Sequence, residues 1–251
     1  MRLEGKTAII TGAASGFGQG IAQRFAIEGA NTVIADLNLD RASAVADTIS
    51  KSGGAAIAVE CDVTSNASVK AMVARTLEEF GTLDCLVNNA GMPQINQPML
   101  EVDEETFDKI FSTNVKSIYL TAIHAIPAMP ESGGTIINTA STAALRPRPG
   151  LTWYNSSKGA VTTLTKSMAV ELAPKNIRVN ALCPVAGNTP MLGAFMGGEV
   201  TPDMEAQFRA TIPLGRLSTP QDMATAALFF ASDEASFLTG VCLEVDGGRC
   251  I

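Results

Sequence analysis

Residues 11–18 of the chain read Thr11-Gly12-Ala13-Ala14-Ser15-Gly16-Phe17-Gly18. An apolar run that is typical of a buried strand precedes this segment, and a stretch of helical period follows it. Glycine lets the chain turn sharply between the two and lets a phosphate approach the backbone, where a helix N-terminus favours negative charge. The pattern therefore predicts a dinucleotide site that includes Gly12, Ser15, Gly16, Phe17 and Gly18. Tight strand-to-helix turns need glycine even without a ligand, so the segment does not decide the function alone.

A carboxylate follows the next predicted strand, about twenty residues further along the chain. Asp36 ends this strand, and Leu37 comes directly after it. A carboxylate in that place accepts hydrogen bonds from the ribose hydroxyls of an adenosine and repels a 2′-phosphate. No arginine or lysine lies within the glycine segment or directly after Asp36 to neutralise such a phosphate. The pattern favours NAD over NADP as the cofactor, with Asp36 and Leu37 among its contacts.

Short apolar or β-branched runs alternate with longer stretches of helical period along the chain, which predicts a parallel sheet built from strand-helix-strand units. The predicted strands are Thr7–Thr11, Thr32–Asp36, Ala55–Cys61, Leu83–Val87, Thr135–Thr139, Arg178–Cys183 and Cys242–Val245. The predicted helices lie near Gly18–Glu28, Arg41–Ser50, Ser65–Phe80, Glu104–Phe111, Val115–Met129, Tyr154–Leu172 and Gln221–Ala231. We therefore expect one α/β domain over residues 1–251, with a doubly wound, seven-stranded parallel sheet and helices on both faces.

Residues 185–215 interrupt this alternation. The stretch is rich in glycine and proline and has little helical period. A loop of that length in a compact domain is usually a lid or a binding segment, so we expect a substrate lid here. A floppy insertion without function is the alternative.

The composition limits the class of protein. The 251 residues are 46% hydrophobic and 17% charged, which suits a globular chain with a substantial core. The net charge of −7 repels nucleic acid and anionic lipid, so neither is an expected partner. The first apolar run is too short for a signal peptide and none is long enough to span a bilayer, which predicts a cytoplasmic protein. Five scattered cysteines without a Cys-x-x-Cys pair indicate neither disulfides nor a metal site.

Further candidate contacts follow the third and fourth predicted strands. Asp62 and Val63 come after the third strand, and Asn89, Ala90 and Gly91 come after the fourth. Residues of these types at strand ends are often only turn formers. Because the carboxyl ends of parallel strands meet at the edge where such sheets bind ligands, we predict that these residues contact the cofactor.

Tyr154 and Lys158 are four residues apart at the start of a predicted helix, so both project from one helix face. A surface tyrosine beside a solvated lysine would give the same spacing by chance. The context is Ser141, just past the preceding strand, and Asn114, at the head of a predicted helix. A nearby ammonium and a positive nicotinamide would lower the pKa of a tyrosine and make it a usable base. The candidate catalytic residues are therefore Asn114, Ser141, Tyr154 and Lys158.

These motifs together resemble the short-chain dehydrogenase/reductase family, from the first predicted strand to the last. The resemblance is carried by Gly12-x3-Gly16-x-Gly18, Asn88-Asn89-Ala90-Gly91, Asn114, Ser141 and Tyr154-x3-Lys158. It implies a Rossmann-type fold, hydride transfer between NAD(H) and a small secondary or aromatic alcohol or its carbonyl, and a homotetramer. Tyr154 would then exchange the hydroxyl proton, and Ser141 would bind the substrate oxygen. Lys158 would also hold the ribose, so that Tyr154 and Lys158 both contact the cofactor, while Asn114 would support a proton-relaying water chain.

The segment after the sixth strand departs from the family pattern. Where the family usually has Pro-Gly, this chain has Pro184-Val185. The resemblance implies that the nicotinamide carboxamide meets backbone groups here, with Pro184, Gly187 and Thr189 as cofactor contacts. We expect the side chain of Val185 to shift or narrow that contact.

Arg146 and Arg148 lie in the loop between Ser141 and Tyr154, where a guanidinium can hold a carboxylate, sulfonate or phosphate of a substrate. The alternative is an arginine that is solvated or paired across a subunit interface. Segments 151–154, 189–191, 195–197 and 235–242 resemble the 4-(hydroxymethyl)benzenesulfonate dehydrogenase branch of the family. That resemblance ranks arylmethanols with an anionic group among the substrates.

Two other functions stay open at this point. A 3-oxoacyl-(acyl carrier protein) reductase usually uses NADPH, and the carboxylate of Asp36 opposes binding of its 2′-phosphate. Such an enzyme also binds an acidic carrier protein through a basic patch, which a net charge of −7 does not indicate. A non-catalytic, dinucleotide-sensing regulatory protein would keep the fold. Such a binder has no need of Ser141, Tyr154 and Lys158 together.

Overall fold

The centre of the protein is a parallel sheet whose strands are nearly continuous apolar runs, because helices cover both of its faces. A computed structural model describes residues 1–196, 198 and 200–251 of the chain. Its strands are β1 Thr7–Thr11, β2 Asn31–Asp36, β3 Ala55–Glu60, β4 Cys85–Asn88, β5 Gly134–Thr139, β6 Ile177–Pro184 and β7 Cys242–Val245. They pair in parallel in the order β3-β2-β1-β4-β5-β6-β7. The predicted seven-stranded, doubly wound sheet is confirmed.

Helices on the two faces bury alternate residues of the strands. The helices are α1 Gly16–Ile27, α2 Leu39–Lys51, α3 Asn66–Phe80, α4 Glu104–Phe111, α5 Ser117–Ala125, α6 Thr152–Leu172, α7 Leu192–Met196, α8 Pro202–Arg209 and α9 Pro220–Ala231. On β1 and β2, Ile10 and Ile34 pack against α1, α2 and α9. Their neighbours Ile9 and Val33 pack against α3, α5 and α6 on the opposite face. This alternation with period two fixes the register of the sheet.

The structure corrects the sequence prediction in two places. The segment 185–215, expected as an irregular lid, contains the short helices α7 and α8, with Gly197 and Glu199 outside the described residues. Thr201 caps α8 by accepting a hydrogen bond from the Met204 amide, a start signal that the weak helical period hid. Asn114 was expected at the head of a new helix, but it lies inside the π-helical turn Ser112–Lys116, which joins α4 directly to α5.

The strand order reverses between β1 and β4, and the loops after these neighbouring strands part on either side of that point. Open parallel sheets bind ligands in the crevice that such a reversal leaves at the carboxyl ends of the strands. Within the described residues, no helix combines the length and apolar character needed to cross a bilayer.

Candidate active site

A cavity of about 340 Å³ opens at the carboxyl ends of the strands, across the reversal of strand order. Most of the residues predicted from sequence line it. From the loops after β1 to β4 these are Gly12, Ser15, Gly16, Phe17, Asp36, Leu37, Val63, Asn89, Ala90 and Gly91. From the segments after β5 and β6 they are Ser141, Tyr154, Lys158, Pro184, Gly187 and Thr189. The fold thus brings most of the predicted cofactor contacts and three of the predicted catalytic residues into one cavity.

Three predicted residues lie behind the wall of the cavity instead. A Cβ atom on Gly18 would lie 2.4 Å from the carbonyl oxygen of Gly12, so this glycine packs against the loop. The Asp62 carboxylate accepts hydrogen bonds from the amide and the hydroxyl of Thr64, at 2.8 and 2.7 Å, and closes its own turn. The third residue is Asn114, which is 2% exposed.

The glycine loop forms a backbone cradle at the start of α1. Gly12 and Gly16 have φ values of +63° and +57°, a left-handed conformation that favours glycine. Ser15 caps α1 without a side-chain hydrogen bond, so the first amide groups of the helix are free to bind an anion. The absence of side chains at these glycines and the free helix terminus fit the phosphates of a dinucleotide.

Asp36 stands at the end of β2 beside this cradle. Its carboxylate accepts hydrogen bonds from the amides of Ala14 and Asn38, both at 3.0 Å, which hold it at the cavity wall. A carboxylate oxygen has further lone pairs for a ligand hydroxyl. Among the described residues that line the cavity, the basic ones are Arg146, Arg148, Lys158 and Arg249. Arg146, Arg148 and Lys158 follow β5 and Arg249 follows β7, while β1 and β4 separate those strands from β2. The donor set around Asp36 therefore fits a ribose diol better than a phosphate.

Tyr154 lies at the opposite end of the cavity, in the first turn of α6. It is 6% exposed, and burial raises its pKa to about 12, against a smaller lowering by its hydrogen bond with Ser141. The predicted lowering of this pKa requires a bound nicotinamide, and in the protein chain alone the pKa is raised instead. The reason is that desolvation of the phenolate outweighs the neighbouring groups. Ser141 is itself fixed, because its hydroxyl oxygen accepts a hydrogen bond from the Ala143 amide at 3.1 Å.

Lys158 lies one helical turn after Tyr154 and is 4% exposed. Its ammonium donates a hydrogen bond to the carbonyl oxygen of Thr139 at 2.8 Å and lies 5.9 Å from the centre of the Tyr154 ring. Burial lowers its pKa to about 8, with a smaller opposing effect from Cys183. A Cβ atom on Gly91 would lie 3.5 Å from the Lys158 nitrogen, so the glycine leaves room beside the ammonium.

Asn114 connects the loop after β4 to α6. Its amide nitrogen donates to the carbonyl oxygen of Met92 and to the hydroxyl of Ser157, both at 3.0 Å. Its amide oxygen accepts from the Met92 amide at 2.8 Å. Both N–H groups are therefore used, and the side chain holds protein elements together instead of reaching the cavity. The π-helical turn provides this inward position.

Sequence reasoning missed Gln94, which is fully buried and caps the catalytic helix. Its side-chain oxygen accepts hydrogen bonds from the amides of Trp153 and Tyr154, at 3.1 and 3.0 Å. Leu151, the residue at the cap position of α6, has no side-chain acceptor. A glutamine 59 and 60 positions away from the two amides gives no local signal, since capping patterns are read only from neighbouring residues.

The end of the cavity beyond Tyr154 also contains residues that the sequence prediction left out. Phe195 of α7 packs on Tyr154 with ring centres 5.0 Å apart, and Phe208 of α8 and Arg249 line the same space. Val185, expected to narrow the cofactor site, lines the cavity and is 3% exposed. Its side chain packs with Leu192 and other apolar residues of segment 185–215. The sequence of this segment has little helical period, so we predicted neither its helices nor the contacts that they make.

Comparisons with known proteins agree with this arrangement. A model of the family described as enoyl-(acyl carrier protein) reductase matches residues 12–249. The chain is 47% identical to 4-formylbenzenesulfonate dehydrogenase of Comamonas testosteroni, over the full length of both chains. It is 40% identical to 7alpha-hydroxysteroid dehydrogenase of Escherichia coli, covering 99% of this chain and 95% of that one. A crystal structure of 3-ketoacyl-(acyl-carrier-protein) reductase from Brucella melitensis, complexed with NADH, has a TM-score of 0.92 and 49% identity, covering 99% and 100% of the two chains.

Proposed function

Since the chain belongs to the short-chain dehydrogenase/reductase family, we propose that it is an NAD-dependent dehydrogenase of small secondary or aromatic alcohols. Its relatives are oxidoreductases that act on CH–OH groups, and this chain is an oxidoreductase of that kind. The family uses a nicotinamide dinucleotide, and the glycine cradle fits one. The observation that carries the proposal is the meeting of Ser141, Tyr154 and Lys158 in the cavity that Asp36 borders.

A bound nicotinamide dinucleotide would supply the hydride acceptor for alcohol oxidation and the hydride donor for carbonyl reduction. Tyr154 accepts the hydroxyl proton of the alcohol in the first direction and donates it in the second. Ser141, whose hydroxyl also lowers the pKa of Tyr154, binds the same substrate oxygen and stabilises the charge that develops on it. Because burial raises the pKa of Tyr154 to about 12, deprotonation depends on positive charge nearby, which the Lys158 ammonium supplies.

The preference for NAD over NADP rests on Asp36. Its carboxylate is held by two backbone amides and can accept hydrogen bonds from the hydroxyls of the adenosine ribose. A 2′-phosphate in the same place would meet a negative charge with no basic residue beside it among the described lining residues. This electrostatic difference supports NAD as the cofactor.

The test is NADH absorbance across a panel of alcohols and ketones, with NADP(H) in parallel. We expect turnover with NAD, and we expect Tyr154→Phe to lower kcat at least about 100-fold because it removes the acid-base group. Tyr119→Phe is the matched control, since Tyr119 is the other tyrosine of the chain and is exposed on α5. Turnover that survives in Tyr154→Phe would overturn the assigned chemistry, and a preference for NADP would overturn the cofactor.

A 3-oxoacyl-(acyl carrier protein) reductase is the second candidate, because a protein of that name has the same fold at 49% identity. The net charge of −7 opposes docking of an acidic carrier protein. The same assay with an acetoacetyl thioester as substrate separates the two functions. Faster turnover of the thioester than of any simple alcohol or ketone would favour the reductase.

A further inference from the structure

Three arginines from distant parts of the chain line the same cavity. Arg146 and Arg148 come from the loop before α6, and Arg249 comes from the turn after β7. None of the three forms a salt bridge with a carboxylate in the part of the chain that the structure describes. Like charges that share a cavity repel one another, and the positive charge of Arg249 contributes, after burial, to a lowered pKa of Arg148. A bound anion would remove that repulsion.

The arginines are held in place by contacts that leave donors free. Arg146 donates to the carbonyl oxygen of Arg249, which ties the loop to the C-terminal turn. That turn is fixed by the buried carboxylate of Asp246, which accepts from the amides of Gly248 and Cys250 at 2.8 Å each. One terminal nitrogen of Arg249 is removed from water and has no hydrogen-bond partner among the described residues. A buried donor without a partner is costly, so its position indicates a missing acceptor.

Arg148 and the reacting tyrosine both contact Phe195. Phe195 packs on the Tyr154 ring with 5.0 Å between ring centres, and its carbonyl oxygen accepts a long hydrogen bond of 3.5 Å from Arg148. On its other side, the Arg148 guanidinium stacks 4.9 Å from the centre of the Phe208 ring. Phe195 and Phe208 therefore lie among the residues that line the cavity shared by Tyr154 and the three arginines.

We propose that Arg146, Arg148 and Arg249 form an anion subsite that selects substrates with a carboxylate or sulfonate across an apolar, ring-sized body from the reacting CH–OH group. Guanidinium groups bind both anions through paired N–H donors, and the aromatic rings suit the body between the two ends. The inference rests on the proposed function, because it names the substrate class of the same cavity. It goes beyond that function by assigning specificity to Arg249, a residue outside the catalytic motifs.

The experiment compares matched substrates with NAD. The anionic pair is 4-(hydroxymethyl)benzoate and 4-(hydroxymethyl)benzenesulfonate, and the neutral counterpart is 4-methylbenzyl alcohol. We expect kcat/KM for at least one anion to exceed that for the neutral alcohol tenfold or more. In Arg148→Gln and Arg249→Gln the ratio of anionic to neutral kcat/KM should fall about tenfold or more, as loss of a charge-assisted hydrogen bond implies. Arg148→Lys keeps the charge but not the paired donors, and should recover part of the ratio.

Arg75→Gln is the control, since Arg75 is exposed on α3 and pairs only with acidic residues of its own helix among the described contacts. It should leave the ratio unchanged. A ratio near one in the wild type, or a ratio that Arg148→Gln and Arg249→Gln do not change while melting temperatures stay at the wild-type value, would overturn the subsite.

A binding measurement separates failure of the subsite from failure of the proposed function. Calorimetric titration of the NADH-loaded protein with benzoate and with benzamide needs no turnover. Benzoate that binds more tightly than benzamide, and loses this advantage in Arg249→Gln, supports the subsite even if none of the alcohols is oxidised, in which case only the proposed function fails. Equal binding of the two probes overturns the subsite, whatever the activity of the enzyme.

Discussion

At the scale of single residues, burial moves the proton affinities of Tyr154 and Lys158 in opposite directions. It raises the pKa of the tyrosine to about 12 and lowers that of the lysine to about 8, because in each case the charged form loses hydration. Burial therefore disfavours the charged form of each side chain, but a pKa of about 8 still leaves Lys158 largely protonated at pH 7. A bound oxidised nicotinamide would add positive charge beside the phenol and, together with the Lys158 ammonium, favour the phenolate.

The lysine gives a prediction about stability. Its pKa falls from 10.5 in the unfolded chain to about 8 in the fold, so between these values the unfolded chain binds the extra proton. Stability then rises with pH across this window, and the burial penalty is fully present below pH 8. We expect the free energy of unfolding of the wild type, relative to Lys158→Met, to increase from pH 7.5 to about 9.5. Urea denaturation at several pH values measures the difference.

Lys166→Met serves as the control for this measurement, because Lys166 is an exposed lysine of the same helix. Its difference from the wild type should stay constant over the same pH range. A difference for Lys158→Met that is flat or falls with pH would show that the lysine is hydrated in the folded protein.

Asp36 gives a prediction about cofactor choice. Asp36→Ala removes both the acceptor for the ribose hydroxyls and the charge that opposes a 2′-phosphate. Each charge-assisted hydrogen bond contributes about 1.5–3 kcal/mol, so we expect kcat/KM with NAD to fall at least about tenfold and the NADP-to-NAD ratio to rise. Initial rates with both cofactors measure this. Asp47→Ala, an exposed acidic position on α2, should change neither quantity, and an unchanged ratio in Asp36→Ala would refute the role of the carboxylate.

At the scale of elements, the catalytic helix α6 depends on a remote residue for its first turn. The first amide groups of a helix lack partners within it, and Gln94 supplies the acceptor for two of them. The same side chain donates to the carbonyl oxygen of Gly150 at 3.0 Å, so it fixes the loop that leads into the helix as well. The orientation of Tyr154 is therefore coupled to the loop after β4.

Gln94→Leu should destabilise the protein by about 1–3 kcal/mol, since it leaves buried amides without partners. It should also lower kcat more than the KM for NAD, because the tyrosine loses its orientation while the cofactor cradle stays intact. Gln94→Glu retains the acceptor and should recover part of kcat. Gln97→Leu is the control in the same loop, because among the described residues the Gln97 side chain donates one long hydrogen bond, of 3.4 Å, to the carbonyl oxygen of Glu101. Equal effects of Gln94→Leu and Gln97→Leu would contradict the capping role.

At the scale of the whole molecule, the sheet could be predicted from sequence because each strand is a local apolar run. The residues that follow several strands, such as the glycines after β1 and Asp36 at the end of β2, also mark where those strands end. Asp36 and Tyr154 were recognisable from spacing along the chain. Gln94 and Arg249 were not, because their partners are distant in sequence and only tertiary packing brings them to the site. The position of Asn114 in a π-helical turn depends on packing between α6 and the loop after β4, which no periodic pattern records.

The surface predicts that the protein associates with copies of itself. Apolar side chains stand exposed on α5 and α6 and before β7, among them Tyr119, Val170 and the fully exposed Phe237. Exposed apolar groups mark interaction surfaces where they form continuous patches. The resemblance to the short-chain dehydrogenase/reductase family implies a tetramer, with about four times the chain mass of 26.1 kDa, which size-exclusion chromatography with light scattering measures. Phe237→Asp should shift the population to smaller species, and a monomeric wild type would contradict the expectation.

Phe17 of the glycine loop contacts the segment after β6 on the other side of the predicted cofactor site. A Cβ atom on Gly187 would lie 2.4 Å from the Phe17 ring, so the glycine loop and the segment after β6 are in close contact. A backbone bridge from Gly187 to Ser218 ties that segment to the residues before α9. Because this contact joins the glycine loop to the segment after β6 beside the cavity, we expect a compulsory order in which the dinucleotide binds before the alcohol and leaves after the product. Product-inhibition patterns measure that order.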